Sequence, residues 1–264
     1  MQDLKVALIQ TGLSWEDKTE NLKRFDLHFM KIHEDVDLVI LPEMFSTGFS
    51  INPESCAEEM NGESVGYLRR KSKDLNSIVM GSLLIKTDKG VFNRLIVSYP
   101  EGELETYDKR HLFRLSEEYR LISGGNGRLV VGIKGWKIRP LVCYDLRFPV
   151  WSKNTCTDGR YEYDVLVYVA NWPASRSNVW KTLLAARAME NQVYCIGVNR
   201  IGEDGHGTDH SGDSMAVDAR GKILCSVPDG KESVKIITLS WQDLELYRGS
   251  FPLGLDWDRF TIEI

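Results

Sequence analysis

The stretch 131–149 (VGIKGWKIRPLVCYDLRFP) constrains the fold of this chain more than any other. Its apolar run 138–142 predicts a short buried strand that stops at Cys143, and the polar residues that follow predict a turn into a helix. Open α/β folds place their chemistry at the carboxyl ends of strands, where backbone N–H groups can hold a developing negative charge. A free cysteine is also a common core residue, so the local pattern leaves both a nucleophilic and a packing role open for Cys143.

Two further apolar strands end in the same way. The run 37–41 is followed by Pro42, which cannot extend a hydrogen-bonded ladder, and then by Glu43. The run 163–170 is followed directly by Asn171. Because side chains at such strand ends converge on one rim of a sheet, we expect Glu43, Cys143 and Asn171 to lie close together.

The remaining apolar patterns alternate between strand and helix along the chain. Helical spacing extends over 15–34, with Leu22, Phe25, Leu27 and Met30 on the apolar face. Further helices are predicted over 62–75, near Val150 and over 179–191, and further strands over 5–10, 78–84, 91–99, 103–107, 193–199, 214–218, 222–228 and 232–239. No repeat, low-complexity segment or linker interrupts them, so we expect one α/β domain over residues 1–264.

Composition excludes several classes of protein. The chain of 264 residues is 42% hydrophobic and can bury a large core, and its net charge of −5 disfavours a nucleic-acid partner. We expect no membrane association, since no apolar run approaches the roughly 18 residues of a membrane span and no cleavable leader precedes the first strand. The five cysteines contain no CxxC pair, which fits neither a disulfide framework nor a zinc site. We therefore expect a cytoplasmic protein.

Three ionisable residues are candidates to work with Cys143, namely Glu43, Lys109 and Glu118. A thiol is a weak nucleophile until it is deprotonated, so it needs a base or a nearby cation. A carboxylate can serve as the base, while a lysine would favour the thiolate and stabilise the oxyanion formed when a carbonyl is attacked. Glutamate, lysine and cysteine are thus sufficient for acyl transfer, and no metal or organic cofactor is expected.

Three motifs carry a family resemblance, namely 41–43 (LPE), 109–113 (KRHLF) and 143–149 (CYDLRFP). In this order and context they resemble the nitrilase (carbon–nitrogen hydrolase) superfamily, and the resemblance extends over nearly the whole chain. It implies an α/β fold of the nitrilase type, a four-layer αββα sandwich. It also implies hydrolysis of a carbon–nitrogen bond through a thioester.

The resemblance assigns a catalytic triad to Glu43, Lys109 and Cys143. A fourth, less invariant glutamate of the family lies between the lysine and the cysteine and corresponds to Glu118, with its neighbour Glu117 as the alternative. The oxyanion would be held by the Lys109 ammonium and the backbone N–H of Tyr144. Members of the family commonly form dimers, so the resemblance also implies a homodimer with the segment from about residue 241 at the interface. The aromatic residues of that segment could equally fold back on their own core.

Within the superfamily, 107–114 (YDKRHLFR) and 170–173 (ANWP) are most similar to the bacterial omega-amidases. That group removes ammonia from 2-oxo acid amides such as 2-oxoglutaramate and 2-oxosuccinamate, so a small-molecule amide is the expected partner. The common family ending Pro-Glu is replaced here by Pro149 and Val150. This departure fits the omega-amidase-like group and argues against a carbamoylase or a true nitrilase.

Four residues are candidates to bind the substrate. Tyr144 is one, and Trp172 either lines the pocket or simply ends a strand. Arg147 and Arg176 are candidates to bind a substrate carboxylate, because a guanidinium binds one bidentately. Arg147 could instead form a salt bridge with a nearby acid such as Asp145, and Arg176 could be an exposed charge in a serine-rich turn.

Two other kinds of protein remain open at the level of sequence. Cys143 could pair with His206 or His210 in a cysteine–histidine hydrolase, although both histidines lie in a glycine-rich stretch with no metal-ligand spacing. The chain could also be a catalytically inactive nitrilase-like binding subunit. Retention of glutamate, lysine and cysteine argues against the inactive subunit. Another amidase or an N-carbamoyl hydrolase of the same superfamily is the remaining alternative.

Overall fold

Two mixed β-sheets of six strands each form the centre of the molecule, whose computed structural model describes residues 1–263. In spatial order the first sheet contains β16 (Ser233–Leu239), β1 (Leu4–Gln10), β2 (Leu38–Ile40), β3 (Ile78–Thr87), β4 (Gly90–Ser98) and β5 (Leu104–Asp108). The second contains β15 (Ile223–Ser226), β14 (Met215–Val217), β11 (Tyr194–Asn199), β10 (Val165–Ala170), β7 (Trp136–Val142) and β6 (Val131–Ile133).

Helices and two small hairpins complete the described chain. The helices are α1 (Lys18–Phe29), α2 (Pro53–Cys56), α3 (Glu63–Leu75), α4 (Glu118–Leu121), α5 (Pro149–Ser152), α6 (Ser177–Asn191) and α7 (Trp241–Ser250). Single 3₁₀ turns span Arg114–Ser116, Cys143–Arg147, Ala174–Arg176 and Leu253–Asp256. The hairpins pair β8 (Cys156–Thr157) with β9 (Arg160–Tyr161) and β12 (Ile201–Glu203) with β13 (Asp209–Ser211).

The four-layer αββα sandwich is confirmed by the way the faces of the first sheet alternate. Val6 and Leu8 of β1 belong to the core between the two sheets, whereas Ala7 and Ile9 belong to the core beneath α1 and α3. Successive side chains of a strand point to opposite faces, so a continuous apolar strand fills two layers at once. Helix α6 covers the outer face of the second sheet against β11.

The strand directions bring four strand ends to one place. In the first sheet β2 and β3 are parallel, and β5 has the same direction because two antiparallel pairings separate it from β3. In the second sheet β7 and β10 are parallel. Their carboxyl ends lead into Glu43, Lys109, Cys143 and Asn171, and hydrogen bonds between Glu43 and Asn171 join the two sheets at this rim.

The predicted strands and longer helices are present, but the first helix is shorter than the apolar pattern predicted. Helix α1 begins after Asp17, whose side chain accepts a hydrogen bond from the backbone N–H of Glu20, and it ends at Phe29 rather than near residue 34. Leu27 and Met30 are 62% and 71% exposed. The buried face of α1 contains Asn21, Leu22, Phe25, His28 and Phe29, and neither Leu27 nor Met30 belongs to it.

Two segments have regular structure that the sequence did not predict. The glycine-rich stretch 202–212, for which no strand was predicted, contains most of the hairpin of β12 and β13. The aromatic segment beyond residue 240 forms α7, and its Trp241 packs edge-on against Trp136 at 5.1 Å between ring centroids. Part of this segment therefore does fold back on the core. Within residues 1–263 no helix is long and apolar enough to cross a membrane.

Gly197 of β11 allows α6 to approach the second sheet closely. A Cβ atom at this position would lie 2.5 Å from side-chain atoms of both Leu184 and Trp180. Gly197→Ala is therefore expected to lower the free energy of unfolding by about 1–3 kcal/mol, the usual cost of overpacking a core. Urea denaturation measures this, with Gly132→Ala as the control, since its added Cβ would have no neighbour within 4 Å. Equal midpoints for the two variants would contradict the prediction.

Candidate active site

Glu43 lies fully buried behind the end of β2, and its carboxylate has fixed partners on both oxygens. Oε1 accepts hydrogen bonds from Lys109 Nζ at 2.9 Å and from Asn93 Nδ2 at 2.8 Å, and Oε2 accepts one from the backbone N–H of Asn171 at 2.8 Å. The next residue, Met44, has a φ of +45°. The backbone thus turns sharply at the residue directly after Glu43.

Lys109 follows β5 and places its ammonium between two carboxylates. Besides the contact with Glu43, Nζ lies 3.0 Å from each oxygen of Glu118, and only 1% of the side chain is exposed. Burial acts to lower the pKa of Lys109, but the charges of Glu118 and Glu43 outweigh it and raise this pKa above its usual value. Lys109 therefore remains a cation in the interior.

Glu118, rather than Glu117, is the glutamate in this cluster. It opens α4 and is fully buried, and in addition to Lys109 it accepts a hydrogen bond from the backbone N–H of Phe113 at 2.5 Å. Burial raises its pKa, against the opposing effect of Lys109. Glu117 is exposed, has a φ of +64° and pairs with Arg120 at 2.6 Å.

Cys143 is the first residue of the 3₁₀ turn after β7, with a φ of +42°. A non-glycine residue in this left-handed region is strained, which is common where a reactive group is held at a sharp turn. Burial and the neighbouring Glu43 raise the pKa of the thiol well above its usual value, although Lys109 and the backbone N–H of Asn171 lower it. The expected effect of the lysine is present but burial is larger, so the resting thiol is neutral beside the Glu43 carboxylate.

Asn93 belongs to the cluster, and the sequence analysis missed it. It is fully buried on β4, and its Nδ2 donates both to Glu43 and, at 3.4 Å, to Glu118. The backbone N–H of Lys109 also donates to the carbonyl of Asn93 at 2.9 Å. The available signal was an amide within the largely apolar strand 90–98, since a buried polar side chain needs a hydrogen-bond partner.

A cavity of about 440 Å³ opens above Cys143 and Lys109. All four predicted substrate-binding residues lie on its wall, namely Tyr144, Arg147, Trp172 and Arg176. Its remaining lining residues are Phe49, Ile51, Phe113, Leu115, Ser116, Glu117, Asn171, Pro173, Asp204, His206, Thr208 and His210. The structure therefore places the predicted nucleophile and the predicted binding residues in one cavity.

The two arginines lie against aromatic rings of this wall. The Arg147 guanidinium is 5.0 Å from the Trp172 ring centroid, and that of Arg176 is 5.5 Å from the Phe113 ring. Within residues 1–263 no ion pair joins Arg147 to Asp145, so the alternative of a structural salt bridge is wrong. Arg176 is half-buried on the cavity wall rather than an exposed charge, and its backbone carbonyl accepts a hydrogen bond from the indole N–H of Trp172 at 2.9 Å.

The histidines of the 201–211 hairpin also face the cavity but are held by other groups. His206 is exposed and its ring lies 5.0 Å from that of Trp15. His210 is buried, its Nδ1 is 3.2 Å from the carbonyl of Gly202, and burial lowers its pKa. Glu43, not a histidine, is the neighbouring group that raises the pKa of the Cys143 thiol. Among residues 1–263 no group of three or more potential ligands could hold a metal ion.

Comparison with known proteins agrees with this geometry. The family model of the carbon–nitrogen hydrolases matches residues 5–249. The chain belongs to the carbon–nitrogen hydrolase family. It is 42% identical to omega-amidase YafV of Yersinia enterocolitica over 99% of this chain and 100% of that protein. It is 31% identical to the 2-oxoglutaramate amidase of Bacillus subtilis, over 94% and 95% of the two chains.

A solved structure of the same family confirms the fold. A carbon–nitrogen hydrolase superfamily protein of Xanthomonas campestris, solved with an arsenic adduct in its active site, superposes with a TM-score of 0.97 and 40% sequence identity over 100% of both chains. The protein is thus an enzyme, an amidase of the nitrilase superfamily, and the reading as an inactive binding subunit loses its support.

Removal of the Glu118 charge tests the cluster in this carbon–nitrogen hydrolase. Glu118→Gln keeps the shape of the side chain but loses one of the two charges that hold Lys109, so kcat for an amide substrate is expected to fall about 100-fold. Glu117→Gln is the comparison, because Glu117 lies on the cavity wall but pairs with Arg120 and does not contact Lys109, so it should change kcat at saturating substrate less than about threefold. Steady-state ammonia release measures both. A larger loss in Glu117→Gln would move the role to that residue.

Proposed function

We propose that this carbon–nitrogen hydrolase is an omega-amidase that hydrolyses the terminal amide of small 2-oxo dicarboxylic acid monoamides, such as 2-oxoglutaramate and 2-oxosuccinamate, to the dicarboxylic acid and ammonia. The observation that carries the proposal is a buried Glu43–Lys109–Glu118 cluster beside Cys143, under a cavity that two arginines line. The cluster and Cys143 supply the groups for amide hydrolysis, and the two arginines supply recognition of a carboxylate.

The neutral thiol and its adjacent carboxylate define the first step. Glu43 takes the proton of Cys143 as the sulfur attacks the amide carbonyl, which avoids a free thiolate in a buried site. The negative charge that develops on the carbonyl oxygen is stabilised by the Lys109 ammonium and the backbone N–H of Tyr144. Lys109 serves this purpose without giving up a proton, because the carboxylates beside it raise its pKa.

The second half of the reaction returns the proton and adds water. Glu43 gives its proton to the leaving nitrogen, the carbon–nitrogen bond breaks, and ammonia departs while the acyl group stays on Cys143 as a thioester. Glu43 then takes a proton from a water molecule that attacks the thioester, and the carboxylic acid leaves as the thiol is restored. Glu118 holds Lys109 from the side opposite Glu43 throughout.

The cavity wall supports an anionic substrate. Arg147 and Arg176 bring two guanidinium groups to a site that also contains the Lys109 ammonium, and a guanidinium binds a carboxylate with two parallel hydrogen bonds. Trp172 gives an apolar surface beside Arg147 for the short carbon chain. Two relatives carry matching names, one an omega-amidase and one a 2-oxoglutaramate amidase.

We further propose that the chain forms a single domain and acts as a cytoplasmic homodimer with its C-terminal segment at the interface. Helix α7 and the turn after it expose three large apolar side chains, namely Leu246, Phe251 and Leu255, at 52–63% exposure. Large apolar side chains that are exposed close together along the chain favour a surface between subunits.

The nature of the substrate is tested by ammonia release from 2-oxoglutaramate and 2-oxosuccinamate, with glutamine, asparagine, a simple nitrile and an N-carbamoyl amino acid as comparison compounds. We expect turnover of the two 2-oxo acid amides and at least ~100-fold lower kcat/KM for the others, because only these amides fit both the nucleophile and the arginines. Cys143→Ala should abolish the activity. Turnover confined to the nitrile or the carbamoyl compound would overturn the substrate, and activity in Cys143→Ala would overturn the nucleophile.

The arginines are tested by comparing an anionic with an uncharged amide. Arg147→Ala and Arg176→Ala are each expected to raise KM for 2-oxoglutaramate about tenfold or more, the cost of a lost charge-assisted hydrogen bond, with a much smaller effect on a neutral aliphatic amide. Arg114→Ala is the control, because Arg114 is exposed and does not line this cavity. Equal effects on the charged and the neutral substrate would show that neither arginine binds the carboxylate.

A further inference from the structure

Asp145 is a buried carboxylate that the reaction described above does not use. It lies two residues after Cys143 in the same 3₁₀ turn and has no exposed surface. Oδ1 accepts hydrogen bonds from the backbone N–H and the ring Nδ1 of His111, at 3.0 and 2.8 Å. Oδ2 accepts from the Tyr107 hydroxyl at 2.8 Å and from the backbone N–H of Val142 at 3.1 Å.

These four donors come from the two segments that hold the reacting groups. Tyr107 and His111 are placed two residues before and two residues after Lys109, so three hydrogen bonds hold the lysine segment on both sides of its ammonium-bearing residue. Val142 immediately precedes Cys143. One carboxylate therefore connects the end of a strand in the first sheet with the turn after a strand in the second.

The donors are themselves fixed. The Tyr107 oxygen accepts hydrogen bonds from the indole N–H of Trp151 at 2.9 Å and from the backbone N–H of Arg110 at 3.3 Å, which directs its own hydrogen toward Asp145. The ring of His111 stacks on Phe148 with 3.6 Å between centroids. Neither side chain can turn away from Asp145 without losing a second contact.

The turn needs such a restraint, because Cys143 has a left-handed backbone conformation that a non-glycine residue rarely adopts. A strained residue persists only where its surroundings hold it, and the Val142 hydrogen bond to Asp145 is the contact that closes this turn from within. Loss of this contact would let the turn relax and would move the sulfur relative to the lysine segment.

We propose that Asp145 is a positioning residue that fixes the Lys109 ammonium relative to the Cys143 sulfur. It contacts neither the substrate nor the reacting atoms and acts through the segment 107–111 on one side and the strained turn on the other. The inference rests on the proposed nucleophilic role of Cys143. It adds a residue that contributes by setting the distance between the Lys109 ammonium and the Cys143 sulfur.

The test is Asp145→Asn, which keeps the size of the side chain. Whichever way the amide is oriented, its NH₂ group faces two donors, so about half of the hydrogen bonds are lost. We expect kcat to fall about 100-fold with KM changed less than about threefold, since a displacement of roughly 1 Å has this effect on rate rather than on binding. Alkylation of Cys143 by iodoacetamide at neutral pH, followed on its peptide by mass spectrometry, should slow about tenfold, because a more distant lysine leaves less thiolate.

Asp164→Asn is the matched control. Asp164 is also buried, binds Arg248 at 2.7 Å and accepts from the backbone N–H of Lys137 at 3.0 Å, at the opposite ends of these strands. The Asp164→Asn variant should have a lower melting temperature, while its kcat and alkylation rate should stay within about twofold of the parent enzyme. If Asp145→Asn does not fold, Tyr107→Phe replaces it as the test. This variant removes one hydrogen bond to Asp145, and its kcat is expected to fall about three- to tenfold.

The outcomes separate this inference from the proposed function. If Asp145→Asn and Tyr107→Phe melt at lower temperature but keep the parent kcat and alkylation rate, Asp145 is only structural and the inference is wrong. The alkylation measurement needs no substrate, so it decides the role of Asp145 even if none of the amides is hydrolysed. Persistent ammonia release by Cys143→Ala would instead overturn the proposed nucleophile.

Discussion

The buried Lys109 ammonium is the interaction on which the rest of the site depends. An ion of this kind is costly to remove from water, and it is tolerated here because two carboxylates and the chain around them enclose it. Glu43 follows β2, whereas Lys109 and Glu118 both lie beyond β5, so the ion cluster also fixes how the ends of these two strands meet. Breaking such a cluster by removing one partner leaves an uncompensated charge, which links the chemistry of the site to the stability of the fold.

Charge balance explains how a buried thiol can react. Burial and the neighbouring Glu43 both raise the pKa of the Cys143 thiol, which disfavours a thiolate before substrate arrives. In the proposed mechanism the negative charge appears instead on the substrate oxygen, where Lys109 and the turn after Cys143 would stabilise it. Arg147 and Arg176 line the cavity but are not part of this cluster, so the groups proposed to recognise the substrate differ from those proposed to transform it.

Much of this arrangement could be predicted from the sequence. The apolar runs before Glu43, Cys143 and Asn171 predicted strand ends on one rim, and the family resemblance implied which ionisable groups meet there. Asn93 and Asp145 could not be assigned in this way, because their partners are decided by how two distant segments approach and not by any local period. The exposure of Leu27 and Met30 has the same cause. Helical spacing alone does not show how much of the surface of α1 is covered by the rest of the protein.

The strand order of the first sheet has a consequence for how the enzyme acquires its activity during folding. β1 pairs along its full length with β16, so one edge of this sheet is completed only by a segment more than two hundred residues away. Contacts between residues so far apart in sequence form late and slowly, because the entropy cost of closing the long loop comes before the contacts can stabilise the chain. The reacting groups come from both sheets, so a chain still on the ribosome, or a truncated one, can have most of its helices and strands and yet no working site. Recovery of turnover during refolding would therefore follow the docking of the two sheets rather than the formation of secondary structure.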